Sequence, residues 1–244
     1  MIILFGSSGT LGNSIIEKLS TTGVDFGITT NSRHNEVKKF VKIRNFKPKF
    51  IVKCDVTKFE EVKKVFIKAK KINGSISGIV NNFAYTYQKN SNKVIKPGIK
   101  KKIFEVNYFG LVNVLENLLY LNKFKKNKCT NVINVLSNAV RTLNASNEHY
   151  ISSKAAAKQL SKYYAFHHGT KMTINCVAPG LMLSNLTNKR FFNTKRRIIA
   201  KVPIKKLVHP DEVSELITSL LINIKGLNGE TIYIDGGRTL KLDD

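Results

Sequence analysis

A chain of 244 residues with 42% hydrophobic content can bury one large core, and no apolar run approaches the roughly 18 residues of a membrane-crossing helix. Its formal charge of +25 invites a nucleic-acid reading, but the 41 basic residues are 34 Lys and only 7 Arg, spread along the chain rather than gathered on one segment. The densest runs, Lys100 to Lys102, Lys123 to Lys128 and Lys195 to Arg197, read as solvated helix ends and loops, so nucleic acid is set aside as a partner while acidic ligands or carriers would still be steered in.

The N-terminal stretch MIILFGSSG has no charged start and no small-residue cleavage site, which predicts a soluble, cytoplasmic protein with no membrane partner. Its residues 2 to 5 form the first of seven apolar runs; the others span 25 to 30, 49 to 54, 77 to 82, 131 to 136, 173 to 178 and 231 to 234. Amphipathic stretches separate them, as at Leu11, Ile15, Ile16 and Leu19. This alternation predicts an α/β fold: a seven-stranded, mainly parallel sheet with helices on both faces, in a single domain over 1 to 244. Cys54, Cys129 and Cys176 are far apart and odd in number, so they read as reduced core thiols without a disulfide frame or a metal.

Directly after the first strand comes Gly6-Ser7-Ser8-Gly9-Thr10-Leu11-Gly12, opening a helix. Glycines there allow a tight turn and a close approach of backbone to a pyrophosphate, which would rest on the positive end of the helix, as in Rossmann dinucleotide sites. At the end of the second strand, Thr30-Asn31-Ser32-Arg33 lacks the carboxylate that would grip a ribose hydroxyl. Arg33 can instead meet a 2′-phosphate, so NADP(H) is expected in preference to NAD(H), which remains possible.

Further along, Asn107 falls inside an apparently continuous helix over 98 to 121, a poor place for Asn without another task. Ser137 follows the fifth strand, at the carboxyl edge where open α/β sheets bind ligands. Tyr150 and Lys154 then lie one turn apart on a helix over 147 to 168. A cation beside a phenol stabilises phenolate and draws its titration down toward neutrality, so Tyr150 can act as a general acid. The segment 181 to 209 is the one long insertion and a candidate substrate lid.

Taken in order, these residues resemble the short-chain dehydrogenase/reductase family over the whole chain. The resemblance assigns Asn107, Ser137, Tyr150 and Lys154 to the catalytic tetrad. It assigns Gly6, Ser8, Gly9, Leu11 and Gly12 to the cofactor turn, with Asn31, Ser32 and Arg33 beside it. Asp55 and Val56 match the pair that contacts adenine, and Asn82 and Ala84 the Asn-Asn-Ala-Gly strand end. Pro179, Gly180, Met182 and Ser184 match the segment over the nicotinamide. The compact branch is the better match, because seven residues follow Gly237 and the extended branch carries a further substrate domain.

Two positions depart from the compact pattern: Thr10 stands where a middle glycine is usual, and Ala84 replaces another glycine. The resemblance implies hydride transfer to a carbonyl, with Tyr150 giving the proton, Lys154 lowering its pKa, Ser137 orienting the carbonyl and Asn107 holding a water. The stretch from Pro179 to Val213 is most similar to 3-oxoacyl-carrier-protein reductases, and Lys125, Lys126 and Lys128 suit an acidic carrier. Apolar Leu181, Leu183, Leu186, Phe191 and Phe192 suit an acyl chain. Alternatives are a sugar or small-alcohol dehydrogenase, a nucleotide-sugar epimerase or dehydratase, and more remotely a nonredox NADP sensor or a nucleic-acid binder. Family members usually pair through helices equivalent to 98 to 121 and 147 to 168, which implies a homodimer or homotetramer.

Overall fold

The computed structural model describes residues 1–87, 94–122, 129–143, 147–182 and 195–240. Seven strands form one sheet: β1 (Ile2–Phe5), β2 (Phe26–Thr30), β3 (Phe50–Lys53), β4 (Gly78–Asn81), β5 (Thr130–Val135), β6 (Met172–Pro179) and β7 (Thr231–Ile234). Their order is β3-β2-β1-β4-β5-β6-β7 and every pairing is parallel. The chain therefore moves outward from β1 to β3, then returns to β4 on the other side of β1. That reversal opens a crevice at the carboxyl ends of β1 and β4, where a doubly wound sheet binds its ligand.

Helices cover both faces because the central strands are buried on both sides. One face packs α3 (Phe59–Asn73), α5 (Gly110–Asn122) and α7 (Glu148–His167) through Val62, Phe66, Leu111, Leu115 and Ala157, over Ile3, Phe5 and Ile79. The other packs α1 (Thr10–Ser20), α2 (His34–Ile43) and the last helix, α9 (Pro210–Ile222), through Ile15, Leu19, Val37, Val213 and Ile217, over Leu4 and Ile28. Alternate residues of β1 thus serve opposite layers, as the twofold period of a strand requires. Short helices α4 (Pro97–Phe104), α6 (Ala139–Thr142) and α8 (Lys195–Ala200) complete the described elements.

Two expectations change. The helix over 98 to 121 is interrupted: α4 passes into a π-helical turn at Glu105–Phe109 before α5 begins. Asn107 sits at its centre and is 2% exposed, so the irregularity places an amide inside rather than on a solvent face. Cys54 and Cys176 are buried as expected, but Cys129 is exposed, lying just ahead of β5 and outside the layers. Among the described residues no helix is long and apolar enough to cross a membrane.

Candidate active site

The glycine turn occupies the crevice. Gly6 has φ +78°, and a Cβ there would stand 2.5 Å from the Phe83 amide nitrogen; at Gly12 it would stand 2.2 Å from the Ser7 carbonyl oxygen. Both contacts require glycine, so the strand end and the first turn of α1 close against each other. Asn82 reinforces this by donating from Nδ2 to the Gly6 carbonyl at 2.9 Å. Gly9, with φ +133°, precedes α1 without a side-chain cap, and no acid stands in the helix's first turn. Uncapped N–H groups on a glycine cradle fit a pyrophosphate. Leu11 turns inward and is buried, anchoring the helix rather than facing the crevice.

At the tip of β2, Asn31, Ser32 and Arg33 are exposed, and Arg33 folds back so that Nη2 donates to the Ser8 carbonyl at 3.1 Å. The guanidinium therefore borders the glycine turn. Thr30 Oγ1 and His34 Nδ1 are 2.7 Å apart, and burial together with Lys38 and Lys53 pulls the His34 pKa down. Asp55 spends Oδ1 on the Thr57 amide and hydroxyl, at 3.0 and 2.9 Å, to close the turn into α3. Val56 is buried, its carbonyl held at 2.9 Å by Asn113. Ala84 is exposed beyond β4.

On the other side, Pro179 ends β6 and is buried, and Gly180 donates to the Ile234 carbonyl at 2.9 Å. Met182 forms a parallel bridge with Val208, and Val202, Leu207 and Val208 are buried, so the described ends of the 181 to 209 segment are joined to each other and packed against the core. Ser184, together with Leu183, Leu186, Phe191 and Phe192, lies outside the described residues, as do Lys125, Lys126 and Lys128.

Ser137 and Tyr150 meet at the carboxyl end of β5. The phenol and the Ser137 side chain are neighbours there, and Ser137 Oγ accepts from the Ala139 amide at 3.2 Å. Burial raises the Tyr150 pKa and the Ser137 side chain opposes that rise. Lys154 is 4% exposed and donates from Nζ to the Val135 carbonyl at 2.8 Å. Its own pKa falls to about 8, because burial penalises the ammonium more than the nearby Cys176 favours it. The Lys154 ammonium is thus engaged with the strand carbonyl, and Ser137 is the group that opposes the burial-driven rise at the phenol.

The Asn107 side chain is fully engaged. Its Oδ1 accepts from the Tyr85 amide at 2.7 Å, and its Nδ2 donates to the Tyr85 carbonyl at 3.0 Å and to Ser153 Oγ at 2.9 Å. Both amide protons are committed, so a water near Lys154 would have to use a backbone carbonyl. Tyr85 and Ser153 gave no sign in the sequence, since their bonds to Asn107 span 22 and 46 residues.

Comparison with known proteins decides what this arrangement is. A family model described as enoyl-(acyl carrier protein) reductase matches residues 6–239. The chain belongs to the short-chain dehydrogenase/reductase family. Similar short-chain dehydrogenase/reductases include the 3-oxoacyl-[acyl-carrier-protein] reductase FabG of Staphylococcus epidermidis, 24% identical over 241 residues, covering 96% of this chain and 97% of that protein. FabG of Rickettsia bellii is 25% identical over 242 residues, covering 96% and 95%. Among solved structures, a short-chain dehydrogenase/reductase from Brucella melitensis superposes with a TM-score of 0.88 at 20% identity, covering 98% of this chain and 96% of that one. ElxO with NADP bound superposes with a TM-score of 0.87 at 22% identity, covering 97% of each chain. This short-chain dehydrogenase/reductase is accordingly an oxidoreductase with a nicotinamide cofactor.

Proposed function

We propose that the protein reduces a carbonyl to an alcohol with NADP(H), in the cytoplasm, and that its substrate is a 3-oxoacyl group on an acidic carrier protein. The observation that carries the reading is the meeting of the Tyr150 and Ser137 side chains at the carboxyl edge of the sheet. Two hydroxyls at one point can bind a carbonyl oxygen and protonate it, which favours a ketone over the carbon–carbon double bond named in the family description. The bound dinucleotide would supply the hydride. The FabG relatives support an acyl-carrier substrate, and the segment 181 to 209, at the end of β6, is proposed as its cover.

Within this reading Tyr150 gives its proton to the carbonyl oxygen and Ser137 holds that oxygen. Lys154 receives burial and a strand carbonyl instead of an acid, so its proton is labile near neutral pH and can return to the phenol through an intervening hydroxyl or water. A screen of NADPH oxidation against ketone classes, including acetoacetyl-carrier protein and its thioester mimics, tests the assignment. Turnover of the carrier-bound ketone is expected, and inactivity toward every carbonyl would refute it.

Gly6, Ser8, Gly9, Gly12, Asn82, Pro179 and Gly180 would hold the dinucleotide, with Asp55 and Val56 near adenine and Asn31, Ser32 and Arg33 near the 2′-phosphate. Arg33 supports NADP(H), because a guanidinium already bordering Ser8 can add charge-assisted bonds to a phosphate. Arg33→Ala is expected to raise the KM for NADPH about 10- to 100-fold and leave that for NADH within about twofold. Equal changes for both cofactors would remove Arg33 from discrimination.

We also propose a homodimer through α4, α5 and α7. Phe104, Tyr108, Phe109, Leu160 and Tyr163 line an apolar surface groove of about 500 Å³ between α4, the π-turn that follows it and α7, and Phe109 and Tyr163 are each 55% exposed. Sedimentation should report a dimer or tetramer that Phe109→Arg dissociates; a monomeric parent would contradict it.

A further inference from the structure

The first turn of α7 is tied at two points to one short segment, Tyr85–Tyr87, that continues from β4. Asn147 caps the helix by accepting the Tyr150 amide on Oδ1 at 2.7 Å, and its Nδ2 donates to the Tyr87 carbonyl. Ser153, 0% exposed, donates from Oγ to the Tyr150 carbonyl at 2.8 Å and accepts from Asn107 Nδ2, whose amide is itself clamped on Tyr85. The backbone of Tyr150 is thus held by its N–H through one side chain and by its C=O through another. Both side chains lead to the same segment.

That segment begins where the cofactor turn ends. Asn82 donates to the Gly6 carbonyl, and Phe83 packs where a Gly6 side chain would stand, one residue before Ala84 and two before Tyr85. Neither tie is needed for the helix as such. A plain N-cap asks only for the accepting oxygen of Asn147, and a buried position one residue before Lys154 could as well hold Ala. The donating half of Asn147 and the hydroxyl of Ser153 remain to be accounted for.

We propose that Ser153 and Asn147 are positioning residues, which lock Tyr150 to the Tyr85–Tyr87 segment and so hold its phenol on Ser137. This rests on the reductase reading above, in which Tyr150 donates the proton. Removing a tie lets the first turn of α7 relax and the phenol drift from Ser137; with the ring still buried, which raises its titration, losing the one neighbour that lowers it moves that titration to higher pH.

The test uses Ser153→Ala, with Ser153→Cys as a space-filling substitute should Ala not fold. It also uses Asn147→Ser, which keeps a good helix cap but lacks the reach of the amide. For each variant kcat against pH, the KM for NADPH, Tm and the ultraviolet titration of the phenol in the protein alone are measured beside Tyr150→Phe. A fall in kcat of about 10- to 100-fold is expected, with the KM for NADPH within about twofold and the alkaline limb and phenol titration both moved upward. A purely structural role would lower Tm without moving either titration, and that result, or parental kcat and pH limbs, overturns the proposal for the residue concerned. The parent and Tyr150→Phe report separately on the reductase reading: if the parent turns over carbonyls and Tyr150→Phe does not, an unchanged Ser153→Ala defeats only the positioning.

Discussion

Tyr150→Phe is expected to cost at least about 10³-fold in kcat for carbonyl reduction while NADPH binds within about twofold of the parent. The phenylalanine keeps the ring and its packing and removes only the hydroxyl beside Ser137. Ser137 Oγ retains the Ala139 amide, so no buried polar atom is orphaned and Tm should change by no more than about 2–4 °C. Initial rates at saturating cofactor, fluorescence titration with NADPH and thermal melts together separate loss of the proton donor from loss of the fold. Turnover within tenfold of the parent would show that another group supplies the proton.

The second expectation pairs a gain with a loss. Lys154→Met should abolish measurable turnover, yet make the protein without cofactor more stable near pH 7 by on the order of 2 kcal/mol, a rise in Tm of about 4–8 °C. The reason is the depressed ammonium: its pKa of about 8 in the fold against 10.5 ordinarily means that burial opposes the charged form. Between those values the unfolded chain binds more protons than the folded one, so this residue's contribution makes stability rise with pH from about 8 to about 10.5. Below about pH 8 the penalty is fully present, and methionine removes it.

Some of that gain is offset by the lost bond to the Val135 carbonyl. Cys54, raised to about 12 by burial, works in the opposite direction, since its thiol ionises earlier in the unfolded chain and lowers stability as pH rises. The parent and Lys154→Met share Cys54, so the difference between their stability curves isolates Lys154. A difference that does not shrink as pH rises from about 8 to about 10.5 would contradict the assignment.

The layers of the fold were legible because the central strands are buried on both faces and largely apolar, as in Ile2–Phe5, while helices such as α1 carry apolar residues at helical spacing. Order and spacing singled out Ser137, Tyr150 and Lys154, and the structure brings these three to the end of β5. What sequence spacing did not carry were bonds between distant segments. The π-turn sets the Asn107 amide between Tyr85 and Ser153, and nothing in an apolar periodicity of 3.6 reports that. Likewise, the spacing of Tyr150 and Lys154 on a helix does not report the Val135 carbonyl that receives the ammonium. Asp55 is similar: one oxygen is committed to a local turn before any ligand arrives.

The Ser137–Tyr150 pair also frames the choice of substrate. Its hydroxyls stand at the carboxyl edge between the glycine crevice and β6, so a carbonyl bound there lies within reach of a dinucleotide on the Gly6–Gly12 turn. The exposed Lys and Arg residues favour approach of an acidic carrier, and added salt should slow its turnover more than that of an uncharged thioester mimic.

The most direct measurement is the fate of the hydride. Purified protein is incubated with NADPH deuterated at its transferable position and an acetoacetyl thioester, and the product is analysed by mass spectrometry. The proposed chemistry places deuterium on the carbinol carbon of a 3-hydroxy product, and places none there when Tyr150→Phe is used. A product without deuterium, or cofactor left intact beside every ketone tried, would contradict it.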